Sequence, residues 1–135
     1  MSDPTKDWKI VELRHKDGGK VFVRLRFVRP VGSDLFRDLV CISWEFSECH
    51  SSFDELFQSL DLFEDRLKSL HQSPESCLAF ILTYSDSRAW YFYAKGADRF
   101  IHCVNELLKD YPKVPIQFHV VEDPDWSRWS RFAGR

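Results

Sequence analysis

Three features of the sequence predict an α+β fold. Apolar residues alternate with other residues at Val40, Ile42, Trp44 and Phe46, and again at Val114, Ile116, Phe118 and Val120, the period of half-buried strands. They recur at three- and four-residue spacing through Leu56, Leu60, Phe63 and Leu67, and through Phe100, Val104, Leu107 and Tyr111, the period of one helix face. Between the helices lie two strand-like runs, 77–84 and 89–94, split by a polar turn. The order strand, helix, strand, strand, helix, strand is the ferredoxin-like β-α-β-β-α-β arrangement, with an added N-terminal strand. Right-handed crossovers put both helices on one face of its sheet.

Each element has a local reason. Residues 1–7 read as a loose arm, and Trp8 to Leu13 as a short strand before a turn over Lys16, Asp17, Gly18 and Gly19. Residues 20–29 alternate as a strand with one basic face, and residues 38–46 as the next. Strand 20–29 either extends a sheet edge or forms a hairpin with 38–46. Ser52 and Glu55 have the spacing of a capping box. The helix behind it carries Phe53, Leu56, Phe57, Leu60, Phe63, Leu67 and Leu70 inward and closes at Ser73-Pro74. Gly96 separates the second hairpin strand from the second helix, which Pro112 stops. The remainder, 122–135, is an aromatic tail. The whole of 1–135 reads as one domain.

Composition narrows the function classes. Aromatic residues make up 16% of the chain, enough for a well-filled core. The net charge of -2 gives no bulk attraction to nucleic acid or membrane. It is unevenly placed: residues 6–37 hold nine Lys/Arg against four Asp/Glu, and residues 45–75 hold eight acids against Arg66 and Lys68. The N-terminus lacks the basic and apolar regions of a signal peptide, and no apolar run reaches the ~20 residues that span a bilayer. Cys41, Cys49, Cys77 and Cys103 show no CxxC spacing and read as thiols of a reducing cytoplasm.

The Glu64-Asp65 pair on the first helix, Arg88 ahead of Tyr91 and Tyr93, and Asp123, Pro124 and Trp126 after Glu122 form a joint pattern. Together they resemble the bacterial domain-of-unknown-function family six-nine-five, over roughly residues 8–132. In that family a Tyr and a Leu-Tyr-Pro end often follow the Trp; here Trp129 and Phe132 stand instead. The family has no established activity. Its domains are sometimes found beside ones similar to the ribonuclease E regulator B, so the resemblance implies regulation by binding.

Each candidate site also has an ordinary structural role. Asp61, Glu64 and Asp65 suit acid-base work or a hard cation, yet no second ligand cluster accompanies them, and a solvated face explains them. Cys49-His50 and His102-Cys103 are adjacent pairs. On a helix such neighbours point about 100° apart, which makes a poor chelate. Cys41 and His119 form a dyad only if their strands are neighbours, and no oxyanion loop accompanies them. Arg24, Arg26, Tyr91, Tyr93 and His119 are the open-face candidates. A basic, aromatic sheet surface is what RNA-binding domains of this topology use, but the RNP1 signature is missing. The alternative is that residues 126–132 fold over that face and bury it.

The expectation is therefore a non-enzymatic, cytoplasmic protein-binding or regulatory domain, monomeric or weakly dimeric, with no catalytic residue, cofactor or metal. Its partner is a protein with a basic surface, met by Asp54, Asp61, Glu64 and Asp65. Neither membrane nor nucleic acid is expected to bind. The alternatives are an immunity protein that neutralises a bacterial toxin, an RNA-binding platform, or a small enzyme on the open sheet face.

Overall fold

The computed structural model describes residues 8–14, 20–26, 28–46 and 53–133. The arm 1–7, the turn at 16–19, the Cys49-His50 pair and Ser52 of the capping box lie outside these residues. Strands β1 (Trp8–Arg14), β2 (Lys20–Arg26) and β3 (Asp38–Glu45) come first, with a single 3-10 turn, Ser33–Leu35, before β3. Helix α1 (Phe53–Arg66) and the short α2 (Lys68–His71) follow. Then come β4 (Ser76–Thr83), β5 (Ser87–Ala94), α3 (Ala97–Leu107), β6 (Ile116–Glu122) and α4 (Ser127–Ala133).

This is an α+β fold with one six-stranded sheet, ordered β1-β2-β4-β5-β3-β6, in which every pairing is antiparallel. The strand expected over 20–29 is β2, which ends at Arg26; it extends the β4 edge, with β1 outside it, and does not pair with β3. The inner strands are apolar on both faces because both faces are covered. All of β4 except Thr83 is buried, whereas edge strand β6 has no buried residue.

Two cores result. On one face α1 and α3 supply Leu56, Leu60, Phe63, Phe100 and Val104 against Val40, Ile42, Trp90 and Phe92 of the central strands. The Asp38 carboxylate, from β3, accepts the Ala97 amide at 2.9 Å and caps α3. On the other face Trp126 and Trp129 cover Leu39, Tyr93, Phe80, Val23 and Leu25. A bulge between Leu78 and Phe80 divides β4 between the cores: Leu78 joins the first, while Ala79 and Phe80 join the second.

Two expectations are corrected. The first helix does not run unbroken to Ser73. It breaks at Leu67, whose amide donates to the Glu64 carbonyl at 3.1 Å in a tightened turn, and α2 starts anew. Phe57, placed on the inner stripe, is 39% exposed at its flank.

The tail is a structural lid. Trp126 is fully buried, stacks on Tyr93 at 4.0 Å and 8°, and donates its indole N–H to the Phe36 carbonyl at 3.0 Å. Truncating such a ring removes its transfer energy and leaves a cavity. Trp126→Ala is expected to cost about 3–5 kcal/mol. A thermal melt should show Tm lowered by on the order of 10 °C or more.

Candidate functional site

Helix α1 buries Leu56, Leu60, Phe63 and Leu67. At 3.6 residues per turn, positions 57, 61, 64 and 68 fall on the flank beside that stripe, toward β2. The placement shows in the contacts. Glu64 accepts from the Arg24 guanidinium on β2 and from the Trp90 indole N–H at 2.9 Å, leaving its side chain 17% exposed. Asp61, 74% exposed at its side chain, stands 3.6 Å from the Arg88 guanidinium. Arg88 also donates to the Thr83 hydroxyl at 3.0 Å and lies 5.5 Å over the Phe57 ring. Asp54 and Asp65 are exposed.

Of the four acids expected at solvent, Glu64 is therefore the exception. It sits at the border of the stripe, where β2 approaches, and joins helix to sheet. Asp54, Asp61 and Asp65 remain at the surface.

The open-face candidates do not form one surface. Arg24 and Arg26 point to the helix side of the sheet, away from Tyr91 and Tyr93, because the β2–β4 register aligns Arg24 with Ile81 of the helix-side core. Arg26 is buried and donates to the Leu78 carbonyl at 3.0 Å, with longer bonds to Gln72 and the His71 carbonyl. Tyr91 stacks on Phe80 at 4.3 Å, and Tyr93 lies under Trp126. His119 is exposed on β6, opposite Cys41 of β3 in the register. Cys41 is buried, opposite Tyr91 in the β3–β5 register; burial raises its pKa, the reverse of what an activated nucleophile needs.

Elsewhere, a cleft of about 430 Å³ between Pro30, Val31, Phe36 and Gln72 reaches Cys77. Burial pushes that thiol up to about 12, so it stays protonated and inert. Among the described residues no group of three His, Cys, Asp or Glu side chains is arranged to hold a metal ion. Among the same residues no helix is long and apolar enough to cross a membrane.

The strongest polar constellation is one that the sequence reading passed over. Asp123, buried between β6 and α4, accepts the Tyr93 hydroxyl at 2.6 Å and the amides of Ser127 and Arg128 at 3.0 Å each. It thereby caps α4 and ties it to β5. Its position before a Pro and ahead of a Trp was visible, but only the fold shows that Tyr93 is its partner.

These features define an α+β domain that closes one sheet face with its own C-terminal helix and leaves an acidic helix flank at the surface of the other. The match of a family model over residues 21–132 shows that the chain belongs to the family of unknown function DUF695. Comparison with curated proteins gives no match. The acidic, Asp-Pro-x-Trp ending that carried the resemblance is the α4 cap and lid.

The lid should respond to acid. Burial alone would raise the Asp123 pKa, but the donors Ser127, Tyr93 and the Arg128 amide outweigh it and hold the pKa below the ordinary aspartate value. A lowered folded-state pKa gives stability that is present above the unfolded value, about 3.9, and lost as pH falls through the folded one. Chemical denaturation from pH 7 to pH 2 should show this loss in the native protein. Asp123→Asn should be less stable at neutral pH and show a shallower decline below about pH 4.

Proposed function

We propose that this domain is a non-enzymatic, cytoplasmic bacterial module that acts by binding another protein through the acidic flank of α1. One observation carries the reading. The apolar stripe of α1 is used up in the core, yet Asp54, Asp61 and Asp65 stand at solvent beside a half-exposed Phe57. Arg88 is the only cation that pairs with these acids among the described residues. A negative field with an aromatic anchor suits a basic protein surface, where such charges set on-rate and specificity. The opposite face, which an RNA platform or a small enzyme would need, is occupied by Trp126 and Trp129. Reading the β-α-β-β-α-β unit as ferredoxin-like is supported by its strand order, β4-β5-β3-β6, and by α1 and α3 sharing one core.

The test is affinity capture from the source cells, followed by binding kinetics with the captured protein. Reversing Asp54, Asp61 and Asp65 to Lys should slow association, weaken binding about tenfold or more, and leave Tm nearly unchanged. Glu64 is left out because its reversal would strand Arg24 and Trp90 and cost stability. Undiminished binding by the triple reversal would remove α1 as the contact surface.

A further inference from the structure

The sheet is wider than the helices that cover it. Strands lie about 4.8 Å apart, whereas packed helices sit about 10 Å apart, so one helix covers about two strands. The helix-side core takes residues from β3, β4, β5 and β6, and from the ribbon only Trp8, at the start of β1, packs against it. On the same side Arg26 meets α2 through the His71 carbonyl, and beyond Trp8 and Arg26 the β1–β2 ribbon has no helix above it among the described residues. The register pairs Ile10 with Arg24 and Glu12 with Phe22, and aligns Arg24 with the core residue Ile81, so all four point to that side. Ile10 is 74% exposed and Phe22 is 47% exposed. The reverse side of the ribbon is used in the ordinary way, with Val21, Val23 and Leu25 buried in the second core.

A step results. Its floor is Ile10, Phe22 and Arg24; its wall is the α1 flank with Phe57 and Asp61; Arg24 bonded to Glu64 forms the inner corner. On the floor Lys20 pairs with Glu12 at 3.5 Å and Arg24 with Glu64, while Arg14, opposite Lys20, is exposed at the far end of the ribbon. The wall keeps an excess of negative charge at its rim, with Asp54, Asp61 and Asp65 against the exposed Lys68.

We propose that this step is a docking groove for one amphipathic helix of a partner protein, laid beside α1 as the third helix on the sheet. Its apolar stripe would cover Ile10, Phe22 and Phe57, and Lys or Arg along one flank would face the α1 acids. The charge imbalance selects a basic helix over an acidic one. A second copy of this chain does not supply it: the basic helix α4, with Arg128 and Arg131, has Trp129 buried in its own core. The proposal rests on the α1 reading and sharpens it, because it adds the ribbon floor, which a purely electrostatic contact would not touch.

The probe is a synthetic helix of about 18 residues, or five turns, with Leu at i, i+3, i+4 and i+7 repeats and Lys on one flank. Two controls are the same helix with Glu in place of Lys, and a scrambled peptide of the Lys composition. Fluorescence anisotropy with the whole protein should show saturable binding of the Lys-flanked helix, weaker binding of both controls, and a gain of peptide helicity in circular dichroism. Ile10→Asp and Phe22→Ser should each weaken binding about tenfold without lowering Tm, since both side chains are exposed. Binding of the scrambled peptide as tight as that of the helix, no binding of the helix, or indifference to Ile10→Asp and Phe22→Ser would overturn the groove. The captured partner separates the two proposals. Sensitivity to the Asp54, Asp61 and Asp65 reversals but not to Ile10→Asp and Phe22→Ser leaves the α1 surface standing and removes the groove. Indifference to both sets removes both.

Discussion

Much of the fold depends on one stacked pair, Trp126 on Tyr93, and on the carboxylate that fixes it. A β-α-β-β-α-β unit with both helices on one side leaves its other sheet face bare. Here that face carries Leu39, Cys77, Phe80, Leu82 and Tyr93, which are too apolar to stand in water. The cover is a seven-residue helix, far too short to be stable alone. It holds because Asp123 receives its first amides while accepting the Tyr93 hydroxyl, and because Trp129 donates its indole N–H to the Arg26 carbonyl at 2.8 Å. Trp126 sits at φ 58°, in the left-handed region. Such a conformation costs on the order of 1–3 kcal/mol in a non-glycine residue. Full burial of the indole and its bond to the Phe36 carbonyl offset that cost.

The same interaction explains which parts of the fold were legible. The polarity split of β3, β5 and β6 could be read because each strand alternates over several residues, and one face is consistently apolar. The lid left a weaker trace: Trp126, Trp129 and Phe132 recur every third residue, a helical spacing in a segment too short to show a full period. β2 was misread for a specific reason. Val21, Val23 and Leu25 alternate with Phe22, Arg24 and Arg26, so the apolar face was evident, but not which core it served. That choice is made by pairing with β4, whose bulge at Ala79 shifts the faces partway along, and nothing local in the sequence marks the bulge. Arg24 and Arg26 were therefore assigned to the wrong side.

Glu64 failed for a related reason. Helical periodicity separates the middle of a stripe from the solvent side well, but it is silent at the border. Whether a border acid meets water or a neighbouring strand is decided by sheet width. With only the four strands of the β-α-β-β-α-β unit, Glu64 would face solvent like Asp61. With β2 added beside β4, it meets Arg24, and the Trp90 indole completes its shell. The acidic character of α1 could thus be read from the sequence, while the division between structural and surface acids could not.

The two added strands link these points. Side chains alternate with a period of two, so a ribbon that supplies Val21, Val23 and Leu25 to one core must send Phe22 and Arg24 to the opposite side. Widening the sheet gives α4 a longer floor and supplies the Arg26 carbonyl that anchors Trp129. It also makes a ledge on the helix side that, beyond Trp8 and Arg26, no helix covers among the described residues. A polar ledge would be an ordinary solvated surface. Here it carries Ile10 and Phe22 next to the half-exposed Phe57 of α1, with acids along the rim. The closed face and the open step are consequences of one extension, and the chemistry left at the surface belongs to the step.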